Sequence, residues 1–315
     1  CPVGIIRRIC QMKYQAKPSL FDLDVVQLYL ISMRAKSGTI LVRPELPIYD
    51  SVELRELVTH LICDGYASLQ KFASPKYVQI NRSAVEEFQN RLGVFGPQET
   101  NIVLEQKVFP RKDSYKLGFS KTIPQILSHY FQISFMGDEA RLPALFYSGK
   151  REFLVAIVRA FLIDEGSIND RTLQFCSGSK MLLEDLQKIC VLLGYESYPV
   201  RLQGRAYYLL LSPHSFERVY GDIMALGTLS IQDKQEKFDL GMRIVNNKEK
   251  IKDLPDRILN LLRQSPLSTL SLAKALSLNR KRISYILLTL KRKGIVLREP
   301  ITHNGKSRTY LWRLS

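Results

Sequence analysis

Twice in this chain, roughly a hundred residues apart, an apolar run with helical spacing ends in an acidic residue followed by glycine. The two runs are Leu57-Val-Thr-His-Leu-Ile-Cys-Asp64-Gly65 and Val158-Arg-Ala-Phe-Leu-Ile-Asp-Glu165-Gly166. One such run is what any helix stop looks like, an acid before a terminating glycine. Two constrain the fold, because the elements that follow each run repeat in the same order.

The first run closes a helix that Ser51 caps, with apolar residues Leu54, Leu57, Val58, Leu61 and Ile62 at helical spacing. A short strand near Tyr66 to Leu69, a strand over Lys76 to Arg82, a helix over Ala84 to Leu92, strands over Asn101 to Lys107 and Ser114 to Ser120, and a helix over Ile123 to Phe131 complete the order αββαββα. The second run gives a helix over Glu152 to Ile163, a strand over Thr172 to Cys176 and an amphipathic helix over Lys180 to Leu193. A hairpin, Ser197 to Leu202 with Tyr207 to Leu211 around Gln203-Gly204-Arg205, and a helix over His214 to Met224 close it. Each half reads as a four-stranded sheet covered on one face by helices, with alternating strands such as Tyr77/Gln79/Asn81 against Val78/Ile80 leaving the other face open.

The 315 residues carry a formal charge of +16. From Ile251 to Ser315 there are 14 Lys or Arg against 3 Asp or Glu, so most of the excess lies in the last fifth. That asymmetry points to a polyanion, and nucleic acid is the common one; the alternative is a merely soluble basic surface. The five cysteines (Cys1, Cys10, Cys63, Cys176, Cys190) include no C-x-x-C pair, which argues against a zinc site or a disulfide framework. No apolar run reaches the ~18 residues of a membrane span, so the expectation is a cytoplasmic, nucleoid-associated protein with no membrane partner. Beginning at Cys1, the chain reads as a trimmed or excised product.

Residues 1–50 say least: a helix over Asp22 to Met33, an extended Thr39 to Arg43, and a bend at Pro44 and Pro47. Residues 51–136 are the first half, and residues 137–232 are the linker and second half. Residues 233–253 form a charged connector read as a solvated helix, and residues 254–315 are a separate unit. There, helices over Pro255 to Arg263, Leu270 to Leu276 and Asn279 to Lys293 precede strands over Ile295 to Arg298 and Tyr310 to Arg313, around a basic tip. This unit resembles a winged helix-turn-helix. The resemblance implies that Arg280, Lys281, Arg282, Ser284 and Tyr285 face a major groove, with Lys291, Arg292, Lys293, Lys306 and Arg308 available to phosphates. The same unit could serve only as a protein contact.

The paired acidic helix ends with their αββαββα sequels resemble the LAGLIDADG homing endonucleases in their single-chain form. Arg141-Leu-Pro, Phe153 to Gly166, and Ser177-Gly-Ser-Lys-Met-Leu-Leu-Glu-Asp-Leu carry the likeness in the second half. It implies an α+β fold in which the halves form a pseudo-two-fold saddle within a monomer, acting on double-stranded DNA. It further implies that Asp64 and Glu165 are catalytic metal ligands, aided by the backbone carbonyls of Cys63 and Asp164, with Mg²⁺ or Mn²⁺ as the ion. Hydrolysis of a phosphodiester calls for such hard oxygen ligands. Lys116 and Lys121 are the basic residues expected near the first acid, whereas the second half offers only Arg205. Lys76, Gln79, Asn81, Arg82, Gln174, Arg201 and Arg205 are the expected duplex contacts. Small residues at the helix seam are incomplete, with Val58 and Thr59 facing Arg159 and Ala160, and His60 reads as an interface residue or a general base. Two activities fit: a site-specific, metal-dependent DNA endonuclease, or a DNA-binding transcriptional regulator that keeps the scaffold without cleavage, as in bacterial sporulation regulators.

Overall fold

The computed structural model describes residues 32–33, 41–42, 48–67, 74–98, 100–107, 112–131, 135, 140–246, 253–303 and 307–315. Most of the helix expected over Asp22 to Met33 lies outside these residues. Its last two are strand instead: β1 (Ser32–Met33) pairs antiparallel with β2 (Leu41–Val42). Lys306 also lies outside the described residues.

The first half runs α1 (Val52–Cys63), β3 (Gly65–Tyr66), β4 (Lys76–Gln79), α2 (Arg82–Arg91), β5 (Ile102–Glu105), β6 (Ser114–Gly118) and α3 (Thr122–Phe131). The second runs α4 (Arg151–Asp164), β7 (Gly166–Asn169), β8 (Thr172–Ser177), α5 (Lys180–Leu193), β9 (Arg201–Gln203), β10 (Ala206–Leu210) and α6 (Phe216–Leu226). Their antiparallel sheets have matching orders, β3-β4-β6-β5 and β7-β8-β10-β9. The repeated order read in the sequence is therefore a repeated topology.

In each sheet one face is closed by aromatic packing. Tyr77 on β4 stacks on Phe88 of α2 with ring centroids 4.3 Å apart, and Leu117, opposite Tyr77 on β6, is fully buried beside it. In the second sheet Phe175 on β8 meets Phe161 of α4 edge-on, and Leu209 sits opposite it on β10. Each such side chain contributes about 1.5–3 kcal/mol by burial. Residues one step along each strand point the other way.

The glycines after the two acids do not end their helices by a left-handed turn, as the sequence pattern suggests. Both are the first residues of strands, and neither has a positive φ. What they supply is room: a Cβ on Gly65 would lie 2.5 Å from the Leu61 carbonyl oxygen, and one on Gly166 2.6 Å from Leu162 Cα. Only a residue without a side chain lets each strand start hard against its own helix. Gly294, with φ 74°, is by contrast a true left-handed stop.

Compactness divides the chain into residues 1–167 with 173–235, and 168–172 with 236–315. The stretch read as a solvated connector holds α7 (Gln232–Asn246), and Phe238 and Ile244 on it are buried. Beyond it come α8 (Leu254–Gln264), β11 (Leu267–Ser268), α9 (Thr269–Leu276), α10 (Arg280–Arg292), β12 (Val296–His303) and β13 (Ser307–Leu314), the strands ordered β11-β13-β12. Ser277, left-handed at φ 50°, ends α9, and Asn279 opens α10 by accepting the Lys281 amide at 2.8 Å, so three residues separate the helices. Trp312 of β13 is buried among Ile258, Leu272, Ile283 and Leu287, and its Nε1 donates to Thr269 Oγ1 at 3.0 Å.

Candidate functional site

Helices α1 and α4 pack against each other, and Leu57, Val58 and Leu61 on one and Ile157, Val158, Ala160 and Phe161 on the other are fully buried. Both finish on an acid: the Asp64 amide donates to the His60 carbonyl at 3.0 Å, and the Glu165 amide to that of Phe161 at 2.9 Å. A carboxylate at a helix C-terminus stands at the negative end of the helix dipole. Two such ends in electrostatic contact therefore need positive charge.

The electrostatics show that need. Burial first, then the Asp164 charge, raises the Asp64 carboxyl to about 7, against a hydrogen bond from Gln79 Nε2 and the charges of His60 and Lys234. Burial, then Asp64 and Asp164, raises Glu165 to about 8, with Lys234 opposing. Burial and the same three acids push the Cys63 thiol well up.

Asp164 takes a different part from its neighbour. Its side chain is fully buried and accepts from Tyr77 Oη at 2.6 Å, while its other oxygen lies 2.9 Å from His60 Nδ1. Only its backbone carbonyl could face an ion. His60 is equally buried between the helices; burial alone would lower its pKa, but Asp164, with Glu87 and Glu56 behind it, raises it. Sealed from solvent, His60 is an interface residue, which removes the general-base alternative.

Among the described residues no three His, Cys, Asp or Glu side chains are arranged to hold a metal. Two carboxylates raised by burial and by the Asp164 charge nevertheless fit a hard divalent ion that keeps waters and takes phosphate oxygens for its remaining ligands. Asp64 and Glu165 would hold it, with carbonyls at the helix ends.

A second charged seam replaces the small residues expected between the helices. Arg159 donates to Glu56 at 2.8 Å, to Glu87 and to the Thr228 carbonyl, and Arg91 reaches Glu56 at 2.6 Å. Arg55, also buried, pairs with Asp50 at 2.7 Å and donates to the carbonyls of Phe146 and Ser148 before α4.

Of the lysines expected at the first acid, Lys116 lies on β6 opposite Val78 and Val103, on the face of the sheet away from Tyr77, and Lys121 is nearly buried just before α3. Lys76, two residues before Val78, shares the Lys116 face and lies over the Tyr66 ring at 5.4 Å. Gln174 and Arg201 occupy the corresponding face of the second sheet, Arg201 opposite Tyr208 and Gln174 opposite Leu210, and Arg205 is exposed in the turn beyond. Gln79 faces the other way, toward Asp64, so it is part of the acid site rather than of the open sheet. Asn81 precedes α2 without a capping bond, and Arg82 pairs with Glu86 at 2.8 Å. On α10, Arg280, Lys281, Arg282, Tyr285, Lys291 and Arg292 are exposed, as is Lys293 after it, and Ser284 is half-buried. Of Arg308 only the backbone is described, opposite Thr302.

Lys234 was missed. Its Nζ donates to the Leu162 carbonyl at 2.8 Å and the Ile163 carbonyl at 2.6 Å, and its charge acts on Asp64, Glu165 and Cys63. It is a basic group beside Glu165 that the sequence around Arg205 gave no sign of. No local pattern announces it, since it lies some seventy residues beyond Glu165 in a polar run.

No family model matches the chain, and no curated protein matches it. Among solved structures, the homing endonuclease I-DmoI in complex with DNA and Mn is 15% identical and aligns over 56% of this chain and 98% of its own, with a TM-score of 0.42. The homing endonuclease I-WcaI bound to its DNA recognition sequence is 12% identical over 60% and 87%, TM-score 0.43. Full-length DUF199/WhiA from Thermatoga maritima is 16% identical over 78% and 92%, TM-score 0.42. All three are distant likenesses.

Proposed function

We propose that the chain is a DNA-binding protein of LAGLIDADG type that cleaves double-stranded DNA at a specific site, with Mg²⁺ or Mn²⁺ held between Asp64 and Glu165. The observation that carries this reading is the meeting of two acids at the C-terminal ends of packed helices, both pushed up by burial and by the Asp164 charge, and Glu165 by Asp64 as well. The opposing charges, Lys234 for both and His60 for Asp64, do not bring either carboxyl back to its ordinary range. A bound divalent ion supplies an activated water and a stabilised leaving oxygen for phosphodiester hydrolysis.

The chain's own groups do the rest. Gln79 orients the Asp64 carboxylate, Lys234 balances the end of α4, and the buried His60–Asp164–Tyr77 set fixes α1 against α4. The two open sheet faces, carrying Lys76, Lys116, Gln174 and Arg201, would form the saddle that follows the duplex. The C-terminal unit, read as a winged helix, would place Lys281, Arg282 and Tyr285 in a major groove, with Arg292 and Lys293 on phosphates.

A second reading, a regulator that binds without cutting, is favoured by the diversion of the Asp164 side chain into the core and by the lysine at the end of α4. The test is to select bound duplexes from a randomised library and incubate them with Mg²⁺ and with Mn²⁺. Cleavage that Asp64→Asn and Glu165→Gln each abolish while leaving binding intact supports the endonuclease. Tight, selective binding with no strand cut in either ion establishes the regulator.

A further inference from the structure

The ammonium of Lys234 stands where a cation would stand. It lies 2.8 and 2.6 Å from two carbonyl oxygens in the last turn of α4, those of Leu162 and Ile163, just before the acid pair. Those oxygens are among the four acceptors that every helix end leaves without an internal partner, and they point along the dipole that Glu165 aggravates. The same charge reaches across the junction to Asp64 at the end of α1. Lys234 comes from a different element, α7, so its placement is a tertiary feature and not a cap supplied by the helix itself.

We propose that Lys234 is the resident cation of the second half of the junction: it occupies one of the two positions where positive charge is needed, so that Asp64 and Glu165 share a single exchangeable divalent ion. The proposal rests on the reading of that pair as cation-binding. A fixed ammonium differs from an ion in its demands. It brings three donors and no open coordination position, so it neutralises and positions but cannot activate a water. The two halves, alike in topology, are thereby unequal in chemistry.

Lysine at this place also has a predictable effect on metal binding. It repels a divalent ion near Glu165 and takes up carbonyls that could otherwise ligate one. Removing it should strengthen ion binding, the reverse of what loss of a merely structural residue would do.

The experiment is calorimetric titration of the full chain with Mn²⁺ alone, comparing wild type with Lys234→Met, Lys234→Gln and Lys234→Arg, each checked for folding by thermal unfolding. The expected results are one ion per wild-type chain, wild-type behaviour for Lys234→Arg, and binding at least tenfold tighter, or a second ion, for Lys234→Met or Lys234→Gln. Asp64→Asn should remove the binding in every background. Two ions of similar affinity on the wild-type chain overturn the proposal without recourse to any variant, and so does an unchanged or weakened affinity in the folded Lys234→Met chain. If the wild type binds no ion and Lys234→Met binds one, the lysine is the resident cation and it is the metal dependence of the native chain that fails. If neither binds, both readings fail.

Discussion

Replacing Arg159 by methionine removes the cation that two buried carboxylates share across the seam between α1 and α4. Glu56 is inaccessible to solvent and Glu87 is 11% exposed, and both accept from Arg159 Nη1. The arginine is what lowers the Glu87 carboxyl in spite of its burial. Breaking a buried pair by removing one partner costs about 3–5 kcal/mol, because the remaining charge is left without compensation. Arg91 stays 2.6 Å from Glu56 and 3.6 Å from Glu87, which places the expected loss at the lower end, about 3 kcal/mol. Urea denaturation at pH 7, followed by circular dichroism, measures it. The double variant Glu56→Gln/Arg159→Met should recover part of the loss, since a neutral amide at position 56 leaves one carboxylate, Glu87, short of its partner in place of two. A loss below about 1 kcal/mol in the single variant, or a double variant no more stable than the single, would refute the reasoning that this seam is held by charge.

The acid pair makes a second prediction, on pH. Both carboxyls titrate higher in the folded chain than unfolded, so the native state binds more protons between about pH 4 and 8, and stability must fall as pH rises through that window. Since Asp64 raises Glu165 and both feel the same Asp164 charge, the combined effect is taken as that of one group moved by about three units, about 4 kcal/mol. Denaturation of the ion-free chain at pH 5.5 and 8.5 should show the upper part of it, about 2–3 kcal/mol, with a flatter profile in Asp64→Asn. Gly65→Ala and Gly166→Ala should each destabilise by about 2 kcal/mol or more through backbone overlap, whereas Gly118→Ala, with open space around it, should cost under about 0.5 kcal/mol. In the C-terminal unit, Arg292→Gln/Lys293→Gln should reduce the salt slope of DNA binding by about 2, and an unchanged slope would remove those residues from the phosphate contacts.

The elements of both halves could be read from the sequence because their apolar residues keep helical or strand period and their ends carry caps such as Ser51. The boundaries of α5 fell where Ser179 and Gly194 place them. What escaped was set by tertiary contact. Gly65 and Gly166 look like helix stops, and only the closeness of Leu61 and Leu162 reveals their actual constraint. Asp164 sits one residue from a presumed ligand, yet its side chain turns inward because Tyr77 and His60 offer it partners there. Arg159 looked like a flaw in a seam of small residues until Glu56 and Glu87 were seen around it. Lys234 could not be foreseen, because a lysine in a charged run gives no sign of which helix end it will meet. Charge partners drawn from distant segments are the part of a site that periodicity does not encode.

The joint hold of Asp64 and Glu165 on one divalent ion at a DNA phosphate can be seen in a crystal structure of the full chain on a selected duplex with Ca²⁺, which binds such sites without supporting rapid cleavage. The expected density is one ion touching both carboxylates and a phosphate oxygen, with Lys234 still on the Leu162 and Ile163 carbonyls. Duplex bound across the sheets with no ion at the helix ends, and no phosphate within reach of either acid, would show that the paired acids serve the fold and not a reaction.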